Sequence, residues 1–267
     1  MAYLIAVLII CIVVCILVYK FAGITFKGMP VLMYHKVIDA GFPDDLTITT
    51  QELERQFRYL NKKRYTPIFL SDLLSHLYEN RQLPSKPVLL TFDDGYKNNY
   101  TYLYPLLKKY SLKANIFLVT GFIESSDDSV SCKNEYLHVN DINNMSNEVV
   151  QFGLHSYDHK SYNDLTISQI EEDIRSCRTR LKSLHIPYQP CLTYTYGAFP
   201  KKDTKKRNQM FRTMQANGIQ CAFRIGNRVN KIPVKDKFLL QRIDIRGTES
   251  FSRFKLILVT GKKIFFK

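Results

Sequence analysis

Two adjacent carboxylates stand at the end of a short apolar segment and could carry out chemistry. Residues 88–90 are apolar and predict a buried strand, and Asp93 and Asp94, followed by Gly95, lie where that strand should end. Neighbouring residues at a strand end point to opposite sides, so the two aspartates are expected to have different roles. One could hold a cation while the other faces a substrate or a water. The structural alternative is a strand-capping turn, because Asp and Gly are common turn residues.

Two histidines after a second apolar run favour the cation site. His155 and His159 follow residues 149–154, which are mostly apolar. Two imidazoles four residues apart can converge on one ion if the chain turns helically there, and a carboxylate from another strand end would complete the set. One Asp and two His with open coordination positions suit a catalytic divalent metal.

These motifs resemble the polysaccharide deacetylase family, which is also called the NodB-homology or carbohydrate esterase family 4. Residues 91–96 read TFDDGY and residues 155–159 read HSYDH, in the family's order and at its separation. Residues 193–197, TYTYG, look like the family's substrate-groove motif, which usually reads Tyr-Pro-Tyr-Gly, although Thr195 here replaces the proline. The resemblance covers residues 30–258.

The resemblance implies metal-assisted hydrolysis of the acetamide of an N-acetylated amino sugar. It assigns Asp93 as the catalytic base, and Asp94, His155 and His159 as the metal ligands. Zinc fits these donors, and iron, cobalt, nickel or manganese would fit nearly as well. The substrate-binding residues that it implies are Tyr196, Gly197 and Arg242. For Arg242 it implies a place near the catalytic aspartate, and a strand-edge salt bridge is the structural alternative.

His35, near the start of the chain, is the candidate general acid. Residues 30–37 predict a short strand, and a lone histidine at its end could be a hydrogen-bonded structural residue. One branch of the family, which includes deacetylases of poly-N-acetylglucosamine, looks circularly permuted and carries a Tyr-His pair near its start. Residues 32–35, LMYH, resemble that pair.

The composition limits the domain count and the partners. A chain of 267 residues with 45% hydrophobic content is long enough for one sizeable core. The net charge of +14 favours an anionic partner, such as nucleic acid, phosphate groups or acidic lipid. The sequence contains no zinc-finger, ribonucleoprotein or basic-zipper signature, so we do not expect nucleic-acid binding. The cysteines outside the N-terminal run show no CxxC spacing, and Cys177, Cys191 and Cys221 are predicted to be free core thiols.

An apolar run over residues 2–19 predicts a transmembrane anchor, since as a helix it would span about 27 Å. No Lys or Arg precedes it and no clear cleavage site follows, so we expect a retained single-pass anchor in a bacterial inner membrane. Lysines on its C-terminal side place the catalytic domain in the cytoplasm, with the periplasm as the alternative. The chain is predicted to consist of an anchor at residues 1–21, a linker at 22–29 and a deacetylase domain at 30–258. A basic aromatic tail that could contact a membrane follows at 259–267.

Strands and helices alternate along the chain, and the motifs follow predicted strands. This pattern predicts a (β/α) barrel with its site at the carboxyl ends of the strands. The resemblance implies an irregular, NodB-like, seven-stranded form. Neither GxGxxG nor GxxxxGK occurs, so nucleotide-binding α/β folds have no support. Residues 166–184 predict the clearest helix, whose apolar stripe is read as core without chemistry.

The carrier of the sugar stays open at this point. The predicted anchor, the basic charge and the cytoplasmic side favour a sugar on a membrane lipid phosphate, such as an undecaprenyl-phosphate N-acetylhexosamine used in envelope or lipid A modification. The alternative is an enzyme outside the inner membrane that trims poly-N-acetylglucosamine or a related exopolysaccharide. A catalytically silent carbohydrate-binding relative is a third hypothesis, and the intact motifs argue against it. The sequence does not indicate the oligomeric state.

Overall fold

The structure is a computed structural model that describes Val7, residues 28–124 and residues 135–263. Apart from Val7, the predicted anchor lies outside the described residues, as do residues 264–267 of the predicted tail. Within the described ranges, the helices are too short or too polar to cross a membrane.

Seven parallel strands close into a barrel. The strands of the ring are β1 Val31–Tyr34, β5 Pro87–Phe92, β6 Ala114–Leu118, β7 Val150–Leu154, β8 Cys191–Thr193, β9 Cys221–Ile225 and β10 Leu240–Asp244. Their order around the ring is β1-β10-β9-β8-β7-β6-β5, and β5 pairs back with β1. Outside the ring, β4 Thr66–Pro67 pairs with β5, and β2 Lys36–Ile38 pairs with β3 Thr47–Thr49. The predicted irregular seven-stranded barrel is therefore confirmed.

Helices surround the ring. In the described residues they are α1 Thr50–Lys62, α2 Leu70–Glu79, α3 Tyr104–Tyr110, α4 Val139–Asn144, α5 Ile167–Ser183, α6 Thr204–Ala216 and α7 Phe251–Thr260. The predicted α5 begins at a capping box, in which the Thr166 hydroxyl accepts from Gln169 N–H and the Gln169 side chain accepts from Thr166 N–H. Its Ile170, Ile174 and Cys177 are buried against the barrel, as the apolar stripe predicts.

A π-helical turn, Asn99–Leu103, precedes α3, so the helical segment from Asn99 to Tyr110 is regular only in its second half. Pro105 has no N–H and cannot form the usual bond to the fourth residue before it. The chain widens there, and Tyr104 N–H donates to the carbonyl of Asn99, five residues earlier.

The core has two parts, one between the strands and the outer helices and one inside the ring. The inner part includes Phe117 and Phe223, whose rings pack edge-on 5.6 Å apart. Leucines of α2 join this cluster, so α2 covers the amino ends of the barrel strands. Cys191 and Cys221 lie in the same cluster, and these two thiols and Cys177 are buried and free, as predicted.

The predicted membrane-contacting tail begins with residues that pack into the fold. Gly261 ends α7 with a φ of 70°, and Lys263 is only 6% exposed. The Lys263 ammonium lies 2.8 Å from a Glu249 carboxylate oxygen and donates to the Asp244 carbonyl. The expectation that Lys263 meets lipid headgroups is therefore corrected, because its charge is satisfied inside the domain.

Candidate active site

The predicted site residues meet at the face of the barrel formed by the carboxyl ends of its strands. Asp93 and Asp94 directly follow β5, His155 follows β7, His35 follows β1, and Arg242 lies in β10. Parallel strands of a barrel all end at the same face, so side chains far apart in sequence come together there. Asp94 and Gly95 both have positive φ angles, 74° and 73°, and turn the chain sharply as it leaves β5.

Three predicted metal ligands converge. Asp94 Oδ1 lies 3.3 Å from His155 Nε2 and 3.2 Å from His159 Nε2. These ligand atoms all lie within 4.8 Å of one another. His155 Nδ1 lies 3.0 Å from the Thr193 carbonyl oxygen. Because a carbonyl oxygen can only accept a hydrogen bond, Nδ1 carries the proton, and Nε2 of the neutral ring presents a lone pair to the site.

The electrostatics of the triad also fit a cation. Asp94 Oδ1 is buried and receives no hydrogen bond from the described residues. Burial raises the pKa of Asp94, but His155 and His159 lower it by more, and the net pKa lies well below its usual range. Burial lowers the pKa of His155, but Asp93 and Asp94 raise it above its ordinary value. A cluster that draws positive charge and presents a bare carboxylate oxygen fits a divalent cation.

The segment that carries the two histidines is not helical, so the two imidazoles converge without the helical turn on which the sequence argument made their convergence conditional. Ser156 and His159 instead have left-handed φ angles of 70° and 62°. The carbonyls of Ser156 and Tyr157 accept from the N–H groups of Thr120 and Gly121. A Cβ on Gly121 would lie 2.5 Å from the Tyr157 carbonyl oxygen, so this close approach requires glycine.

Arg242 forms a buried ion pair with Asp93. Its Nη1 donates to Asp93 Oδ1 at 2.6 Å, and both side chains are at most 2% exposed. Burial raises the pKa of Asp93, but Arg242 and His155 lower it by more, so Asp93 is held ionised. The strand-edge alternative is wrong, because β10 pairs with both β1 and β9. Because Arg242 is this deeply buried, its effect on the chemistry would come through its ion pair with Asp93. The predicted contact between Arg242 and the substrate stays a prediction.

His35 lies at the same face with a ring nitrogen free among the described residues. Its Nδ1 is buried and has no hydrogen-bond partner there, while its carbonyl accepts from Asn99 Nδ2 at 3.0 Å. Burial lowers the pKa of His35, and Asp93 and Asp94 offset part of that effect. A structural histidine would have its ring bonded, so this environment favours the predicted chemical role.

Tyr196 and Gly197 form an exposed wall beside the histidines. Tyr196 is 69% exposed, and its hydroxyl lies 3.0 Å from His159 Nδ1. Both residues have positive φ angles, and a Cβ on Gly197 would lie 2.6 Å from Ile225 Cγ1. Thr195, which replaces the family's proline, donates its hydroxyl to the Lys160 carbonyl at 2.6 Å. That bond connects the substrate-groove motif, residues 193–197, to the histidine segment, which comprises His155 and the residues up to Tyr162.

Two features of the site were missed by sequence reasoning. Tyr96 stacks on Tyr136 with ring centroids 5.3 Å apart, and the Lys36 ammonium lies 4.3 Å above the Tyr96 ring. Asp173 of α5 accepts hydrogen bonds from the histidine segment. The sequence feature that could have identified Asp173 is the presence of a carboxylate within the apolar stripe of its helix.

A family model described as "Polysaccharide deacetylase" matches residues 80–222, which is more than half of the chain. The chain therefore belongs to the polysaccharide deacetylase family. The predicted membership of the permuted branch stays a prediction.

Individual proteins extend this similarity. YxkH of Bacillus subtilis, whose name places it provisionally among polysaccharide deacetylases, is 26% identical over 177 residues, which are 66% of this chain and 60% of that protein. The poly-beta-1,6-N-acetyl-D-glucosamine N-deacetylase of Staphylococcus epidermidis is 22% identical over 211 residues, 74% of this chain and 67% of that protein. The Streptococcus pyogenes deacetylase PplD, solved with acetate, superposes with a TM-score of 0.72 at 18% identity, over 86% of this chain and 98% of that one.

Proposed function

We propose that this protein is a metal-dependent carbohydrate deacetylase that hydrolyses the acetamide of an N-acetylhexosamine. The observation that carries the proposal is the convergence of Asp94 Oδ1 with His155 Nε2 and His159 Nε2, next to a buried and ionised Asp93. Family membership supports a hydrolase of this kind. A silent carbohydrate-binding relative would have no need for a buried, bare carboxylate oxygen between two imidazoles.

The triad would hold a divalent cation. When bound, such a cation would polarise the acetamide carbonyl and lower the pKa of a bound water molecule towards about 7. Zinc fits one carboxylate and two imidazoles, and iron, cobalt, nickel or manganese remain compatible.

Asp93 is the proposed general base. Arg242 occupies Asp93 Oδ1, whereas Oδ2 lies 3.8 Å from His155 Nε2 and so faces the ligand atoms. An ionised carboxylate in that position can take the proton of an attacking water. Arg242 keeps the carboxylate ionised and fixes its orientation.

His35 is the proposed general acid, and Tyr196 the proposed oxyanion donor. An amide anion is a very poor leaving group, so the departing nitrogen needs a proton, which the imidazole could give. The lowered pKa of His35 makes its protonated form a stronger acid. The tetrahedral oxyanion would be stabilised by the backbone N–H of Tyr196, a contribution of about 3 kcal/mol for such a donor.

A polymeric substrate of the poly-N-acetylglucosamine type is the first candidate, because the Staphylococcus epidermidis relative carries that name. A lipid-linked N-acetylhexosamine is the second candidate, and the net charge of +14 together with the apolar N-terminal run favours it. Sidedness would separate the two, since a cytoplasmic domain suits a lipid-linked sugar and an exported polymer requires the opposite side. A reporter fused after Lys267 would measure the sidedness of the proposed anchored enzyme.

Acetate release tests the function directly. Metal-loaded protein is incubated with polymeric and lipid-linked N-acetylhexosamines, beside Asp93→Asn and His155→Ala. We expect release that both substitutions abolish, whereas His138→Ala, which removes a histidine at the start of α4, retains it. Metal bound by the wild type without release from any sugar would contradict the deacetylase and favour a binding protein.

A further inference from the structure

Asp173 is a buried carboxylate outside the predicted catalytic and ligand residues. It lies in α5 between Ile170 and Ile174 and is 8% exposed. Its Oδ1 accepts from the Ser156 hydroxyl at 3.0 Å and from Tyr157 N–H at 2.9 Å. Its Oδ2 accepts from the Tyr162 hydroxyl at 2.6 Å. A buried carboxylate with three donors is well satisfied, and its partners indicate what it does.

The three donors belong to one segment, residues 156–162, which directly follows His155 and contains His159. Ser156 and His159 hold left-handed φ angles that residues with a Cβ adopt only where their surroundings fix them. Asp173 bonds on both sides of His159, at Ser156 and Tyr157 before it and at Tyr162 after it. The carboxylate therefore clamps the stretch of chain that sets the separation of the two imidazoles.

We infer that Asp173 is a positioning residue that raises the metal affinity of the site by holding the two histidines in the binding arrangement before the metal arrives. The inference rests on the proposed metal dependence. In the structure both Nε2 atoms lie within 3.3 Å of Asp94 Oδ1, and the segment bonded to Asp173 sets that separation. Without the clamp, metal binding would also have to order the segment, and that entropy cost would weaken it.

A purely structural role for Asp173 is the competing explanation. The stripe of α5 is already packed by Ile170 and Ile174, so the helix does not need a carboxylate to hold it. Within α5, the Asp173 side chain approaches the Cys177 thiol at 3.9 Å, a weak contact beside its three bonds to the histidine segment. The distribution of strong bonds points away from the helix and towards the ligands.

Metal titration of the metal-free full chain tests the inference. Zn²⁺ and Co²⁺ affinities are measured by calorimetry, with the Co²⁺ absorption spectrum as a second readout, for the wild type, Asp173→Asn and Asp173→Ala. We expect Asp173→Ala to raise the metal Kd by about 10–100-fold, the range found when a residue that orients a ligand is changed. Asp173→Asn keeps one carbonyl oxygen for Ser156 and Tyr157, so its effect should be smaller.

Ile174→Val is the matched control, because it trims the same helix without touching the histidine segment's hydrogen bonds. Its Kd should stay within about twofold of the wild type, while its unfolding midpoint falls. A Kd for Asp173→Ala within twofold of the wild type would overturn the inference, as would an equal weakening in Ile174→Val. If Asp173→Ala does not fold, Asp173→Asn and Tyr162→Phe decide by the same criterion. A wild type that binds no metal would overturn the proposed function itself, which is a distinguishable result.

Discussion

Arg242 Nη1 lies 2.6 Å from Asp93 Oδ1, and the two residues are 149 positions apart in the chain. Neither side chain is more than 2% exposed, so water screens their attraction little. The pair joins β10 to the end of β5, two strands that both flank β1 in the ring. It therefore combines a structural contact inside the barrel with control of the proposed base.

Replacing Arg242 should cost both stability and activity. Arg242→Met leaves the Asp93 carboxylate buried without its partner, and we expect the free energy of unfolding to fall by about 3–5 kcal/mol. Arg242→Lys keeps a charge but loses the planar fork, so its effects should be intermediate. Denaturant unfolding and kcat/KM for acetate release measure the two quantities.

The double variant Asp93→Asn/Arg242→Met controls for the ion pair. Removing both charges should recover part of the lost stability without recovering activity. An Arg242→Met protein with wild-type stability and turnover would contradict the assigned role.

Metal removal should abolish acetate release, and metal addition should restore it. Asp94→Ala and His159→Ala each delete one ligand atom, so their metal Kd should rise beyond the ~10–100-fold typical of residues that only support a ligand. Elemental analysis of dialysed protein gives the bound metal. Full activity after exhaustive chelation, with no metal left, would refute metal dependence.

Gly153→Ala should destabilise the barrel from inside. A Cβ at this position of β7 would lie 2.5 Å from Phe117 Cε1 and 3.1 Å from the Cys191 carbonyl oxygen. Overpacking of this kind costs about 1–3 kcal/mol. Thermal and denaturant unfolding measure it, and adding Phe117→Leu should make the double variant less destabilised than the sum of the two single effects. If the losses in stability of the two single variants are additive, the added methyl group does not clash with the Phe117 ring.

Glu54 should make the fold sensitive to acid. Its Oε1 lies 2.6 Å from the Lys109 ammonium and accepts from the Tyr110 hydroxyl, and these bonds lower the pKa of Glu54 to about 2. The folded pKa lies below the ordinary value of about 4.3, so this stabilisation is complete above that pH and is lost as the pH falls towards 2. Unfolding midpoints between pH 2 and 6 should therefore decline less steeply in Glu54→Gln.

Glu171→Gln, which removes the carboxylate of an exposed pair within α5, is the control for Glu54. Its acid decline should follow the wild type. Parallel plots of unfolding midpoint against pH for the wild type and Glu54→Gln would exclude a contribution to acid sensitivity from the contacts of Glu54 in α1 with Lys109 and Tyr110 in α3.

The strand-end motifs predicted a (β/α) barrel and the convergence of an aspartate with two histidines, whereas the choice of Asp94 as the ligand came from the family resemblance. Asp94, His155 and His159 each follow an apolar segment, and the common face of parallel strands brings them together. The path between the histidines was not predictable in the same way. It depends on left-handed angles at Ser156 and His159, which are fixed by bonds to Thr120, Gly121 and Asp173 rather than by local periodicity.

Asp173 was hidden by the pattern that revealed its helix. Its position agrees with the buried stripe of α5, so helical periodicity alone treats it as an imperfection of the core. Its partners lie 11 to 17 residues away in a segment without periodicity. Arg242 poses a related problem, because its bond to Asp93 depends on the register of strands around the whole ring.

Closure of the ring between β1 and its two neighbours makes the N-terminal strand decisive for the timing of activity. Leu32 pairs with Leu90 on one side and with Ile243 on the other, contacts that close long loops of chain. Contacts between distant parts of a sequence form slowly, because the loop entropy is lost before the contact is gained. His35 reaches Asp93 only when this strand has docked. The proposed general acid would therefore be in place only after the β1 contacts have formed, and a chain with its other strands paired but β1 undocked would be inert.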